Sequence, residues 1–162
     1  YGVSNRLPGI GLSAQESYVI KDELYYRRMN GEKKILGVSF NIPTSIVGGT
    51  NLSSDTYISV EQIPSVQSCI PASFFGNKNA LSVSLNEQGT EYSIASLTSS
   101  NAGNHYEEIV YALPGTNPCI AVRYFIQYSV IENAISGAEK EFDKGALLAE
   151  FDQIRHSLVV AQ

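Results

Sequence analysis

Cys119-Ile120-Ala121-Val122-Arg123-Tyr124-Phe125-Ile126-Gln127-Tyr128 is apolar on both sides of a two-residue alternation. Ile120, Val122, Tyr124, Ile126 and Tyr128 fall on one face. Cys119, Ala121 and Phe125 fall on the other, with Arg123 among them. Successive side chains of a strand point to opposite faces, so a strand apolar on both faces is covered on both. This segment is therefore expected at the centre of a sheet, with one layer above it and one below. Pro114-Gly115-Thr116-Asn117-Pro118, just before it, is a turn.

Upstream, Tyr106 to Leu113, Glu91 to Leu97 and Leu81 to Leu85 read as strands, with a turn at Ser99 to Asn104. Tyr57 to Ile63 alternates: Ile58 and Val60 point one way, Ser59 and Glu61 the other, which predicts one solvated or lightly covered face. Residues 9–13 and 18–28 are strands, and Met29-Asn30-Gly31-Glu32 is a hairpin turn because Asn-Gly takes positive φ readily. Ile35 to Ile42 returns as a strand and stops at Pro43. The breakers Gly48-Gly49 and Ser53-Ser54-Asp55 make 44–55 a loop. A short helix is expected from Pro64-Ser65 toward Phe75, with Ser65 as N-cap and Pro71 as a break or kink.

Downstream, Asp143 is the expected N-cap of a final helix whose Leu147, Leu148, Phe151, Ile154 and Leu158 repeat at helical spacing. That stripe is expected on one face of the sheet and the Cys69 segment on the other. Short turns between strands imply antiparallel pairing. The expected architecture is one α+β domain over 1–162, an antiparallel sheet flanked by helices in α/β/α layers.

Eleven basic against sixteen acidic residues leave a net charge of −5. An acidic chain without a basic stripe is not expected to bind nucleic acid. Arg27, Arg28, Lys33 and Lys34 flank the first hairpin turn and are expected to be solvated. No apolar run approaches the ~20 residues of a membrane helix. The chain opens at Tyr1 without a start methionine, so a leader is expected to have been removed.

Cys69 and Cys119 are the two cysteines. An even count suits a disulfide, and closing a loop of this length stabilises by about 4 kcal/mol in the chain-entropy picture. The alternative is two buried free thiols behaving as small hydrophobes.

Catalytic constellations are sparse. Two scattered histidines, His105 and His156, do not make a zinc site. No Gly-x-Ser-x-Gly elbow is present, and His156 and Ser157 are adjacent on a helix and diverge. Glu107 and Glu108 point to opposite faces of a strand and cannot pair as two glycosidase carboxylates. Glu16, Asp22 and Glu23 form an acidic group near the first hairpin, expected to face solvent. Pro8-Gly9-Ile10-Gly11 lacks the third glycine and the helix of a phosphate loop. Asn51-Leu52-Ser53 matches a glycosylation sequon. No cofactor or metal is expected.

Ten tyrosines with no tryptophan are the unusual feature. Tyrosine is rigid and amphipathic, and common at recognition surfaces. Tyr25, Tyr26, Tyr57, Tyr106 and Tyr111, with Asn104, His105 and Glu107, form the candidate binding surface. The alternative is ordinary strand residues with half-buried rings.

Gly103-Asn104-His105-Tyr106-Glu107, Cys119, Tyr124-Phe125-Ile126-Gln127-Tyr128 and Glu141-Phe142-Asp143 together resemble a group of uncharacterised bacterial exported proteins, over roughly 50–160. The opening hairpin, sheet and closing helix are similar to the PsbP-like fold of photosystem extrinsic proteins and some bacterial lipoproteins. The resemblance implies a periplasmic, outer-envelope or secreted location, and a membrane tether through a removed lipoprotein leader. It carries no catalytic residue. The expected function is a non-enzymatic binding or accessory domain with a protein or small-molecule partner. The alternatives are an inhibitor or effector docking on another enzyme through loop 44–55, and a hydrolase using His105, Glu107 or Asp143.

Overall fold

The computed structural model describes residues 10–11, 19–28, 31–76, 79–131 and 139–160, with side chains described from residue 35 onward. Among the described residues nine strands and three helices follow one another as β1 (Ile10–Gly11), β2 (Val19–Arg28), β3 (Gly31–Asn41), α1 (Thr44–Val47), β4 (Tyr57–Ile63), α2 (Pro71–Phe75), β5 (Val83–Glu87), β6 (Thr90–Asn101), β7 (Asn104–Leu113), β8 (Cys119–Ser129), α3 (Lys144–His156) and β9 (Val159–Val160). Seven strands form one antiparallel sheet in the order β2-β3-β4-β8-β7-β6-β5. β1 and β9 pair separately.

Two antiparallel runs meet at the middle of this sheet. β2, β3 and β4 pair in succession, the chain crosses to the far edge through α2, and β5 to β8 pair their way back until β8 joins β4. β8 is thus the fourth of seven strands, as its two apolar faces require.

One face is apolar. Val38, Phe40, Ile58, Val60, Ile120, Val122, Tyr124 and Ile126 pack under Leu147, Phe151 and Ile154 of α3. Asp143 caps this helix, its carboxylate accepting from the Ala146 amide at 2.9 Å. On the other face α2 packs through Phe74 against Val110, Ala112 and Ala121. The segment leading into α2 is fastened to the start of β8 by the Cys69–Cys119 disulfide, whose Cα atoms lie 5.1 Å apart. No helix among the described residues is long and apolar enough to cross a membrane.

Several local expectations are corrected. Pro71 does not break the short helix; it begins it, because the first helical position has no use for an amide hydrogen. Ser65 is not a cap: it lies upstream at φ 58°. Residues 44–47 are helical rather than loop. Glu32 and Gly31 belong to β3, whose pairing with β2 closes at Arg28 and Gly31. The β6–β7 hairpin turns on Ala102 and Gly103 alone, both at positive φ, so the strands continue through most of the stretch expected as a turn.

The Asn51 sequon is occupied structurally. Its side-chain amide donates to the Ser129 carbonyl at 2.8 Å and accepts from the Phe142 amide at 2.9 Å, inside the protein. The stretch after α1 is thereby stitched to the end of β8 and to the approach to α3. Backbone bonds between Asn51 and both Lys140 and Ser129 add to the stitching.

Candidate functional site

Alternation on β4, β8 and β7 sends Ser59, Glu61, Arg123 and Glu108 to the α2 side of the sheet. Ser59 and Glu61 were expected on a solvated or lightly covered face, but both are fully buried. The reason is Arg123, 1% exposed, in the middle of the central strand. Its Nε donates to Glu61 Oε1 at 2.9 Å and its Nη2 to Glu61 Oε2 at 3.2 Å. Nη2 also donates to the Phe74 carbonyl at 3.0 Å, and Nη1 pairs with the Glu108 carboxylate. Ser59 Oγ donates to Glu61 Oε1 at 2.7 Å. The Phe75 ring lies 5.5 Å from the guanidinium carbon.

A planar guanidinium presents donors in a fork that matches a carboxylate, which makes this desolvated pairing tolerable. Burial works against the charge of Arg123, but Glu61 and Glu108 outweigh it and hold its pKa above the ordinary value. Burial pushes the Glu61 carboxyl up, against the pull of the same arginine.

Farther along this face an aromatic row crosses three strands. Tyr57 of β4 stacks on Phe125 of β8 with centroids 4.9 Å apart and planes 16° from parallel. Tyr106 of β7 follows at 6.3 Å from Phe125, tilted by 45°. The first spacing is that of neighbouring strands, so the Tyr57 and Phe125 rings stand on the sheet face to face. All three are half-buried, as are Glu108 and Gln127 beside them. Burial also pushes the Tyr57 hydroxyl well above the usual phenol range, with Arg123 opposing.

The predicted surface is divided. Tyr57, Tyr106 and, at the strand start, Asn104 belong to this side of the sheet by register. His105, Glu107 and Tyr111 belong to the α3 side. Glu107 accepts from Tyr128 Oη at 2.9 Å and from Lys144 Nζ at 2.5 Å. His105 Nδ1 lies 2.8 Å from Ser100 Oγ, its cross-strand neighbour. The side chains of Tyr25 and Tyr26 lie outside the described residues, as do those of Arg27, Arg28, Lys33, Lys34, Glu16, Asp22 and Glu23.

Tyr111 serves a second charged centre. The Arg155 guanidinium sits 4.2 Å from the Tyr111 ring and 4.8 Å from the Tyr92 ring. Its Nε donates to Tyr124 Oη at 2.7 Å, and Nη2 donates to Glu87 at 2.7 Å and to Asp152 at 3.1 Å. Tyr124 in turn donates to Asp152 at 2.7 Å. The hydrogen bond from Arg155 holds the Glu87 carboxyl below the usual range.

Neither buried arginine was expected as a site residue. Arg123 was visible as a lone charge in a strand apolar on both faces. Arg155 follows Phe151 by four residues, on the same side of the helix as the apolar stripe. Among the described residues no group of three or more His, Cys, Asp or Glu is placed to hold a metal ion. Compared with protein-family models, curated proteins and solved structures, the chain matches none of them.

Proposed function

We propose that this is a non-enzymatic binding or accessory domain of an oxidising compartment (periplasm, outer envelope or medium), and that Tyr57, Phe125 and Tyr106 form its contact surface. One observation carries the reading: three partly exposed rings in a row, beside a buried and hydrogen-bonded charge network. Tyrosine and phenylalanine give large contact area with few rotatable bonds, so little is lost when a partner orders them. The Arg123 network beside them fixes the strands on which they stand. The partly exposed sides of these rings suit side chains of a protein partner or a small apolar molecule. The disulfide supports the compartment, as does the resemblance to uncharacterised bacterial exported proteins. An inhibitor docking on another enzyme would instead use residues 44–55, which Asn51 fastens to the end of β8 and the approach to α3.

The test compares retention of envelope and medium components on immobilised wild type, Tyr106→Ala and Phe125→Ala. The expected result is a species retained by wild type and lost from both variants, with melting temperatures nearly unchanged. Equal retention by all three sinks the proposal, and a large drop in melting temperature shows the rings to be core.

A second reading, hydrolysis, draws on the 2.8 Å contact between Ser100 and His105. That contact is half of a nucleophile–base arrangement. Among the described residues, however, no carboxylate hydrogen-bonds the His105 ring. Activity on ester substrates lost in Ser100→Ala would favour it over the binding role.

A further inference from the structure

We propose that β5 is a pairing edge at which a second copy of this chain adds antiparallel to form a dimer. β5 ends the large sheet, and among the described residues β6 is its one partner. The register places Val83 and Leu85 on the α3 side, opposite Ile94 and Tyr92. Val83 is 68% exposed and Leu85 36%, and Leu81, two residues upstream, is 92% exposed. Val83 and Leu85 at alternate positions of this edge strand, with Leu81 just before it, leave three large apolar side chains exposed close together in sequence, and such exposure marks an interaction site in a folded protein.

The two edges of the sheet are built differently. Edge strands are ordinarily guarded by charge, proline or a bulge. The opposite edge, β2, has the sequence Val-Ile-Lys-Asp-Glu-Leu-Tyr-Tyr-Arg-Arg and a register irregularity between Lys21 and Glu23. β5 is Val-Ser-Leu-Asn-Glu, regular in register and charged only at its last residue.

The segment is also self-complementary. In an antiparallel pair centred on Val83, Val83 faces Val83 of the second copy and Leu81 faces Leu85, twice over. Apolar side chains then meet only apolar ones, and Ser82 faces Ser84 on the other side of the strand. The chain carries a charge of −5, which repels a second copy over most of its surface. Residues 79–86 carry no charge, and in this register Glu87 lies outside the Leu81–Leu85 pairing. A two-fold axis through Val83 satisfies both partners with one patch. Such an interface falls below the ~1,200 Å² of stable complexes, so the dimer is weak and concentration-dependent.

Sedimentation velocity over roughly 1 μM to 1 mM, the range in which weak complexes dissociate, tests this. The wild-type mass is expected to rise from 17.6 kDa toward twice that value. Val83→Lys and Leu81→Lys are expected to stay monomeric at an unchanged melting temperature, since both side chains are exposed. Val83→Cys is expected to cross-link on oxidation, because the native cysteines are already bonded to each other. A wild type that remains monomeric throughout overturns the proposal, as does a dimer equally strong in Val83→Lys. Tyr106→Ala, on the other face, is expected to dimerise like wild type, which separates this result from that of the aromatic surface.

Discussion

Arg123 grips Glu61 with two hydrogen bonds, Nε to Oε1 at 2.9 Å and Nη2 to Oε2 at 3.2 Å, and neither side chain is more than 1% exposed. A buried ion pair adds little over a well-packed apolar pair, but removing one member strands the other in a poor solvent. Glu61→Gln and Arg123→Met are each expected to cost about 3–5 kcal/mol by urea unfolding. The double variant is expected to cost less than the sum, since neither charge is then left facing the vacancy of the other. An additive double variant would show that the pair is not coupled.

Glu87 sets a pH dependence. Its hydrogen bond from Arg155 lowers its folded pKa, so the contribution is present above the usual carboxylate range and lost as pH falls through the lowered value. Glu87 is partly exposed, which limits the difference between wild type and Glu87→Gln to about 0.5–1 kcal/mol at pH 7. That difference is expected to shrink as pH falls out of the ordinary carboxylate range and to vanish once it has passed below the lowered folded value. A constant difference across this range would show that the carboxylate charge is not what matters.

Asn51 holds the loop after β3 to the end of β8 and the approach to α3. Asn51→Ala leaves the Phe142 amide and the Ser129 carbonyl without these partners, and is expected to cost about 1–3 kcal/mol. Hydrogen exchange should then quicken at Phe142. Eukaryotic expression with a glycan found at Asn51 on folded protein would contradict this packing.

Alkylation without reduction is expected to leave the intact mass unchanged, since Cys69 and Cys119 are bonded to each other. Cys119→Ser with Cys69→Ser is expected to lower stability by about 2–5 kcal/mol, because the unfolded chain regains a long loop's freedom. A shift of two alkyl groups in protein taken from its native compartment would reverse the compartment proposal.

The centre of the fold was legible because its signals are local. The double-sided apolarity of Cys119 to Tyr128 placed β8 in the middle, and Asp143 with the Leu147–Phe151–Ile154 spacing marked α3. Two-residue alternation correctly separated Ile58 and Val60 from Ser59 and Glu61. What alternation could not show is that Ser59 and Glu61 are buried, since that depends on Arg123, 62 residues downstream of Glu61. The placement of the tyrosines on the sheet's faces was half legible for the same reason. Strand parity alone splits Tyr106 from His105, Glu107 and Tyr111, whereas the partnership of Tyr106 with Phe125 and Tyr57 needs the strand order.

That strand order has a temporal meaning. The middle of the sheet is where β4 meets β8, and β8 is supplied only after β5, β6 and β7. During synthesis β2, β3 and β4 emerge with β4 still lacking its neighbour, so the sheet cannot close until β8 has followed. Such distant pairing folds slowly, because the intervening chain must be ordered before the contact forms. A chain threaded from its amino end through a narrow channel would pass while its central ladder was still unmade.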